Sequence, residues 1–170
     1  LLVQKTFTFK RGDYSIDVNY TLVNDSQHET AVYFNTQLVQ KNPSEEQGSM
    51  FKVASFNGAS YSNPKGNHYK KLTYKDMEKA PLNESVEGGW IAMQQHYFLS
   101  TWVPHQSETN QFYTRSYVGD YVIGLVSPAI KLSPGVTQSA GAKLYIGPDK
   151  VENLKQLAPY LDLTVDFGIL

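Results

Sequence analysis

The sequence predicts an all-β protein built from antiparallel strands, and three observations support that fold class. Apolar and polar residues alternate without interruption over residues 14–22, which is the two-residue period of a strand with one buried face. Short runs rich in aromatic and β-branched residues recur along the chain, and turn-forming residues separate nearly all of them. The crossover helices that a parallel sheet requires are missing. An antiparallel sandwich or barrel is therefore expected.

The first hairpin is predicted from the N-terminal residues. Residues 6–9 are the expected partner of the strand at 14–22, and Gly12 in the intervening turn can take the positive φ that a tight turn needs. Further strands are predicted at residues 32–39, 51–56, 69–74, 90–93, 97–103, 112–118, 121–126 and 143–146. Long loops are predicted at residues 41–49 and 76–87.

One convincing helix is predicted, at residues 150–158. Asp149 is the expected N-cap, Glu152 its capping-box partner, and Pro159 the residue that stops the helix. A single apolar stripe runs along it, formed by Val151, Leu154, Leu157 and Ala158. We expect the stripe to lie against the sandwich, with three polar side chains turned outward: Lys150, Asn153 and Lys155.

Composition restricts the possible functions. The 15 basic and 16 acidic residues leave a formal charge of -1, without the basic excess of nucleic-acid-binding proteins, so nucleic acid is rejected as a partner. The absence of cysteine removes thiol catalysis, cysteine-ligated zinc and disulfides. No apolar run approaches the roughly 20 residues that cross a bilayer. With 170 residues and no linker, one soluble domain over residues 1–170 is expected.

The common signatures of enzymes, phosphate loops and metal sites are absent from the sequence. His96 and His105, with Glu108 nearby, are the one histidine cluster that could serve metal binding or acid–base chemistry. Their nine-residue separation across two predicted strands has no intrinsic ligand geometry, so structural or surface histidines are the favoured interpretation. No catalytic residue, metal or cofactor is predicted.

Aromatic residues offer a second kind of candidate site. Trp90, Tyr97, Phe98 and Trp102 could line a groove that binds sugars or apolar peptide segments. Core packing is the alternative, and it is favoured in an all-β domain with 13% aromatic residues. The candidate docking or groove residues are Trp90, His96, Tyr97, Trp102 and Leu154.

The segment GGWIAMQQHYFLSTWVPH at residues 88–105 carries a resemblance to a known family. The residues that match are Gly88, Gly89, Trp90, Ala92, Met93, Gln95, His96, Tyr97, Phe98, Trp102, Pro104 and His105. Other matches follow in the same order along the chain, at residues 10–14, 58–62, 110–114, 145–148 and 158–168. On these motifs the chain resembles the first periplasmic domain of the YidC-type membrane protein insertases (YidC/Oxa1/Alb3 family) of Gram-negative bacteria.

The resemblance implies a β-supersandwich with a short C-terminal α-helix packed on it, at the periplasmic face of the inner membrane. Such insertases insert and help fold inner-membrane proteins, alone or with the Sec translocon, through a groove among membrane helices that this chain lacks. The implied role is an accessory scaffold and docking surface without enzyme activity. The implied partners are Sec translocon accessory subunits (SecD/SecF-type) and nascent membrane protein substrates.

Two departures from the family indicate a fragment. The family domain has further strands upstream of Leu1, so we expect a sheet edge left unpaired at the start of the chain. The insertase has a membrane bundle downstream of Leu170. The sequence alone does not decide whether residues 167–170 dock as a last strand or begin a membrane helix, and the resemblance favours the helix.

A carbohydrate-binding or aldose-mutarotase-like module is the alternative function, because supersandwich folds also occur in sugar-processing enzymes. His68, His96 and an acidic residue would then be the acid–base groups. The distinguishing feature would be a concave face that holds a histidine and a carboxylate around one ligand position.

Overall fold

A computed structural model describes residues 1–41, 56–95 and 97–165 of the chain. Most of these residues lie in antiparallel strands, which confirms the predicted all-β class. The strands are β1 (Leu2–Phe9), β2 (Ser15–Val23), β3 (Thr30–Val32), β4 (Asn35–Lys41), β5 (Gly58–Ser62), β6 (Lys70–Leu72), β7 (Asn83–Glu87), β8 (Trp90–Gln95), β9 (Phe98–Val103), β10 (Thr109–Tyr117), β11 (Asp120–Val126), β12 (Ile130–Leu132) and β13 (Thr137–Pro148). The helical elements are α1 (Tyr74–Lys79), α2 (Val151–Leu157) and a 3-10 turn (Leu161–Thr164).

The strands form two large sheets and one small one. The seven-stranded sheet has the order β1-β2-β13-β9-β8-β5-β6, and the four-stranded sheet has the order β4-β11-β10-β7. Strands β12 and β3 form a separate pair. The four-stranded sheet covers one face of the seven-stranded sheet, and α2 covers the other face. The central strands of the large sheet are therefore buried on both sides.

Strand β8 shows how the sequence meets this double burial. Successive side chains of a strand point to opposite faces. Ile91 packs in the core between the two large sheets, whereas Trp90 and Ala92 pack in the core beneath α2. Both faces of this strand therefore need apolar residues, which explains the unbroken apolar run at its start.

The first hairpin matches its prediction, and its outer strand lies at the edge of the large sheet. Gly12 takes a φ of 79° in the turn. Val18 and Leu22 of β2 are buried as the alternation predicts, whereas Tyr14, before the start of β2, is exposed. Every residue of β1, by contrast, is exposed. The N-terminal strand is thus held by its ladder to β2 and has little packing of its own.

The prediction of one continuous strand at residues 32–39 is wrong. The chain bends at Tyr33 and Phe34, so that β3 and β4 join different sheets. The Phe34 ring packs against the Tyr20 ring with 5.1 Å between centroids, and the Phe34 N–H donates to Ser127 Oγ at 2.8 Å. These tertiary contacts override the local strand propensity.

The predictions for residues 69–74 and 76–87 are also wrong in part. The strand is limited to β6, because Thr73 and Asp76 form a capping box that starts α1. Strand β7 lies within the segment that was predicted to be a loop, where it pairs with β10. Its sequence, Asn-Glu-Ser-Val-Glu, has little strand propensity. Strands β5 and β12 were not predicted either, and β13 is much longer than residues 143–146.

The C-terminal helix lies where the sequence predicts it, but its cap differs. Leu154 of α2 is fully buried, while Lys150, Asn153 and Lys155 are exposed, as expected. Lys150 is the N-cap, and no side chain caps the helix. The Asp149 N–H instead faces the Tyr97 carbonyl oxygen at 3.4 Å, so this residue continues the pairing at the end of β13. The predicted cap by Asp149 with Glu152 is therefore wrong.

Three predicted features fall on residues that the structure does not describe. The loop at residues 41–49 and the strand at residues 51–56 lie almost wholly outside the described ranges, and residues 167–170 lie wholly outside them. Within the described ranges, the structure contains no helix with the length and apolar character needed to cross a bilayer.

Candidate functional site

The C-terminal segment is fixed to the middle of the large sheet by an indole. Trp90, fully buried at the start of β8, donates from Nε1 to the Pro159 carbonyl oxygen at 3.0 Å. Its ring lies 6.0 Å from the Tyr69 ring, between centroids, and Leu154 and Leu161 belong to the same buried cluster. Because a buried indole N–H must find an acceptor, the bond to Pro159 holds the end of α2 in place.

A buried amide holds the next part of the segment. Gln94, near the end of β8, donates from Nε2 to the Thr164 carbonyl oxygen at 3.0 Å. The Gln94 Oε1 atom accepts a hydrogen bond from the Tyr69 hydroxyl, also at 3.0 Å. The Thr164 hydroxyl donates to the Leu161 carbonyl oxygen at 2.7 Å. Removing any of these partners would leave a buried polar group without a hydrogen bond, which is costly.

The chain reverses direction between the contact of Pro159 with Trp90 and the contact of Thr164 with Gln94. Tyr160 has a φ of 67°, in the left-handed region that non-glycine residues rarely occupy. Its ring stacks on the His68 imidazole with 4.0 Å between centroids and 5° between the planes. The stack gives the strained residue a fixed environment, since such conformations persist when surrounding contacts determine them.

Together these contacts set the path of the chain. Helix α2 starts beside the end of β13. Pro159 then contacts Trp90 at the start of β8, and Thr164 contacts Gln94 near the end of β8. The described segment therefore returns along β8 and ends beside the C-terminal end of that strand. We call α2, residues 159–165 and their partners Tyr69, Trp90 and Gln94 the C-terminal anchor.

The paired glycines before Trp90 position the anchor. Gly88 and Gly89 both have positive φ, at 70° and 67°. A Cβ atom on Gly89 would lie 2.1 Å from the Ser62 carbonyl oxygen, so only glycine fits there. The Gln106 amide donates to the Gly89 carbonyl oxygen at 3.1 Å and accepts from the Gly89 N–H at 3.2 Å. The Gly-Gly-Trp motif thus turns the chain sharply into the buried start of β8.

The five candidate residues do not share one surface. Trp90 and Leu154 are buried in the anchor. Trp102 is half-buried, and its Nε1 atom lies 3.4 Å from the Gln37 carbonyl oxygen. Tyr97 is 64% exposed and has a φ of 67° in the turn between β8 and β9. His96 lies outside the described residues.

Two adjoining clefts lie beside α2 on the same face of the large sheet. Their volumes are about 370 and 290 Å³, and Lys143 and Leu157 line both. The smaller cleft contains His105 and Asp17, and Asp17 Oδ1 lies 3.7 Å from Lys143 Nζ. The larger cleft contains Asp13, where hydrogen bonds from Ser15 lower the pKa of the carboxyl and favour the carboxylate. These clefts offer polar groups to a peptide or a sugar.

A second polar cluster lies at the opposite edge of the large sheet. The Tyr61 hydroxyl donates to Glu84 Oε2 at 2.9 Å, and Asn63 Nδ2 donates to Glu84 Oε1 at 2.6 Å. Burial of the phenol, with the carboxylate of Glu84 beside it, raises the pKa of Tyr61 to about 12. The cluster ties β7 of the four-stranded sheet to β5 of the seven-stranded sheet, and the Glu84 carboxylate accepts both hydrogen bonds.

No candidate metal site is found among residues 1–41, 56–95 and 97–165: no three His, Asp or Glu side chains are grouped to hold an ion. The predicted cluster of His96, His105 and Glu108 cannot be placed in full, because His96 is outside these ranges. His105 is exposed and follows the C-terminal end of β9, whereas Tyr97 precedes the N-terminal end of that strand.

Comparisons with known proteins identify the family to which the chain belongs. The family described as YidC periplasmic domain matches residues 1–170. A "Membrane protein insertase YidC" of Legionella pneumophila (strain Corby) is 49% identical over 168 residues, which cover 99% of this chain and 30% of that protein. Insertases of the same name from Hahella chejuensis and Aeromonas hydrophila are 42% and 38% identical, covering 99% and 98% of this chain.

The chain spans about 30% of the length of these relatives. The match nevertheless runs through the whole of this chain, from β1 through the sandwich to the C-terminal anchor. The chain belongs to the YidC periplasmic domain family.

Proposed function

We propose that this domain is an accessory scaffold and docking surface of a membrane protein insertase, and that its C-terminal anchor couples it to the membrane-embedded part. The buried contacts of Trp90 and Gln94 with the segment after α2 are the observation that carries this proposal. They fix the position of the described chain up to Val165. A partner bound to the domain would therefore be held in a defined orientation relative to the anchored segment that ends at Val165.

The coupling follows from the physical character of the anchor. A linker of exposed polar residues would let a domain tumble freely. Here Leu154 and Leu161 are fully buried, so α2 and the 3-10 turn cannot move without exposing apolar surface. Force or displacement at the end of the chain is therefore transmitted to the sheet.

The partners belong to the same proposal. The relatives are named membrane protein insertases, and a periplasmic domain of such a protein is suited to contact Sec translocon accessory subunits (SecD/SecF-type) and emerging membrane protein substrates. The clefts beside α2 and the exposed turns of the sandwich are the surfaces available for these contacts.

Site-specific crosslinking in intact membranes tests the proposal. A photo-reactive residue placed in the whole insertase, at exposed positions such as Lys155, Gln156 or His105, should give adducts with Sec accessory subunits at a contiguous set of positions. Leu154→Asp, which puts a charge on the buried face of α2, should abolish the adducts with Sec accessory subunits and reduce insertion. Lys155→Asp, on the exposed side of the same helix, should leave both unchanged.

Two results would contradict the scaffold role. The first is an absence of partner adducts from every exposed position in a membrane where the insertase is active. The second is an unchanged adduct pattern and insertion rate in Leu154→Asp, which would show that helix docking does not matter.

We also propose that the domain has no enzymatic activity. The cleft that contains His105 and Asp17 is the part of the described structure that most resembles the requirement for sugar chemistry. The Asp17 carboxylate already has a partner there, since its Oδ1 atom lies within ion-pair distance of Lys143 Nζ. Titration calorimetry with aldoses should give flat isotherms. A micromolar sugar dissociation constant that His105→Ala removes would instead favour the carbohydrate-binding alternative.

A further inference from the structure

We propose that one end of the β-sandwich rests on the lipid bilayer, with the exposed apolar side chains of its strand turns in the headgroup region. This inference rests on the proposed function, because it takes the domain to be held close to a membrane. We call the end the tip surface and define it by Phe9, Tyr97, Phe98, Tyr117, Val118 and Ile146.

Strand pairing places these residues at one end of the molecule. Phe98 pairs with both Gln95 of β8 and Pro148 of β13. Tyr145 of β13 pairs with Ser15, so the turn between β1 and β2 lies at the same end. In the four-stranded sheet, Asp120 pairs with Tyr117 on one side and Lys41 on the other. A hydrogen bond from Gln95 Nε2 to Gln40 Oε1 joins the two sheets there.

Several large apolar side chains are exposed at or beside the turns of this end. Phe9, Tyr97, Phe98 and Tyr117 are between 58% and 70% exposed, and Val118 is fully exposed. They come from three separate connections, so no single local conformation accounts for their exposure. Large apolar patches on a surface mark sites that contact a partner or a membrane, and aromatic rings are favoured at the boundary between lipid and water.

The path of the chain indicates that the tip surface contacts the bilayer. Thr164 is bound to Gln94, so the described chain ends beside the last residues of β8, next to the tip surface. In the proposed function the anchor couples the domain to the membrane-embedded part, so this end of the domain is the one presented to the membrane. In the first turn Lys10 and Arg11 are exposed next to Phe9, and the exposed Asp13 offsets one of their charges, so the turn carries a net positive charge toward anionic headgroups.

Fluorescence in lipid vesicles tests the inference on the 170-residue chain. The sequence has no cysteine, so Val118→Cys and Val136→Cys each give one site for a polarity-sensitive dye. Val118 lies in the tip surface, while Val136 is exposed in a turn at the opposite end. The vesicles contain phosphatidylethanolamine and phosphatidylglycerol, with a nitroxide on a fraction of the acyl chains. We expect a blue shift and quenching at position 118 and neither at position 136.

A matched pair of tyrosines measures the contribution of the rings. Tyr97 is 64% exposed in the tip surface and Tyr33 is 66% exposed at the opposite end. Tyr97→Asn, which suits the left-handed backbone at this position, should weaken vesicle binding of the dye-labelled chain by about tenfold, the loss expected when one ring returns to water. Tyr33→Asn should leave binding unchanged. Unaltered thermal unfolding of both variants excludes a folding defect.

Three outcomes would overturn the inference: no quenching at position 118, equal quenching at positions 118 and 136, or binding that salt abolishes while Tyr97→Asn leaves it intact. The last would mean that basic residues alone attract the chain. The assay contains no partner protein and no insertion substrate. A negative result in the vesicle assay therefore rejects membrane contact and leaves the scaffold proposal standing. Normal quenching together with an absence of partner crosslinks would reject the scaffold proposal and leave membrane contact standing.

Discussion

The centre and the edge of the seven-stranded sheet have similar apolar content but opposite surroundings. Strand β8 begins with four residues that are at most 5% exposed, because one sheet face is covered by β-strands and the other by α2. Strand β1 also contains leucine, valine and phenylalanine, yet every one of its residues is exposed, and Phe9 is 70% exposed. The contrast shows that neighbouring elements, and not strand composition, decide which apolar residues stabilise this domain.

A functional difference follows from the same contrast. The centre holds the C-terminal anchor through Trp90 and Gln94, so it fixes the path of the described chain up to Val165. The edge carries Phe9 next to the first turn and contributes exposed apolar surface. We therefore expect substitutions at the centre to alter stability and substitutions at the edge to alter contacts with other molecules.

The largest difference is expected between two aromatic residues. Trp90→Ala should lower the free energy of unfolding by about 3 to 5 kcal/mol, because it removes a fully buried ring. The Pro159 carbonyl oxygen would also lose its donor. Phe9→Ala at the exposed edge should change the free energy of unfolding by less than about 0.5 kcal/mol. Denaturant unfolding of both variants measures this, and equal losses would refute the distinction between centre and edge.

The second prediction compares two neighbours on α2. Leu154→Ala should cost about 2 to 5 kcal/mol, since Leu154 is fully buried against the sheet. Lys155→Ala, on the exposed face, should change stability by less than about 0.5 kcal/mol. Thermal denaturation distinguishes them. Small and equal shifts in the melting temperature would show that α2 is undocked in solution.

The third prediction separates backbone strain from packing at two glycines. Both Gly89 and Gly12 have positive φ, which costs an alanine about 1 to 2 kcal/mol. A Cβ atom at Gly89 would also collide with the Ser62 carbonyl oxygen, whereas nothing lies within 4 Å of a Cβ atom at Gly12. Overpacking adds about 1 to 3 kcal/mol, so chemical denaturation should show Gly89→Ala to be the less stable variant. The reverse order would argue against the close approach at the start of β8.

The smallest effect concerns pH and the Tyr61–Glu84 cluster. Burial and the adjacent carboxylate raise the pKa of Tyr61 to about 12 in the folded protein, from 10.0 for an ordinary tyrosine. The unfolded chain therefore loses this proton first, and the stability that Tyr61 contributes declines as the pH rises from about 10 to about 12. Unfolding free energies across this interval should fall more steeply for the unmodified chain than for Tyr61→Phe. Parallel curves would mean that Tyr61 titrates normally.

Several parts of the fold could be predicted because their determinants are local. The alternation in β2 and the turn at Gly12 specify the first hairpin, and the apolar stripe of α2 specifies both the helix and its buried residue Leu154. Strand β7 could not be predicted, since its polar sequence becomes a strand only through pairing with β10. The capping box of α1 uses Asp76 at the position where glutamate or glutamine is usual.

The anchor was harder to predict than the helix within it. Gln94 and Thr164 are 70 residues apart in sequence, and no local pattern relates them. A glutamine next to an apolar strand run is a weak signal of a buried polar contact. The left-handed conformation of Tyr160 has no residue signature either, because glycine or asparagine would normally occupy it. Such contacts depend on how distant segments pack.

Native-state hydrogen exchange of the unmodified chain tests the central claim that the C-terminal anchor is part of the rigid centre. Hydrogen exchange measures the free energy of opening at each amide. The Leu154 and Ala158 amides, bonded to Lys150 and Leu154 carbonyl oxygens, should open together with those of β8. The amides of β1 should open at a lower free energy, because that strand is held by one ladder at the sheet edge. Faster exchange in α2 than in β1 would contradict the claim.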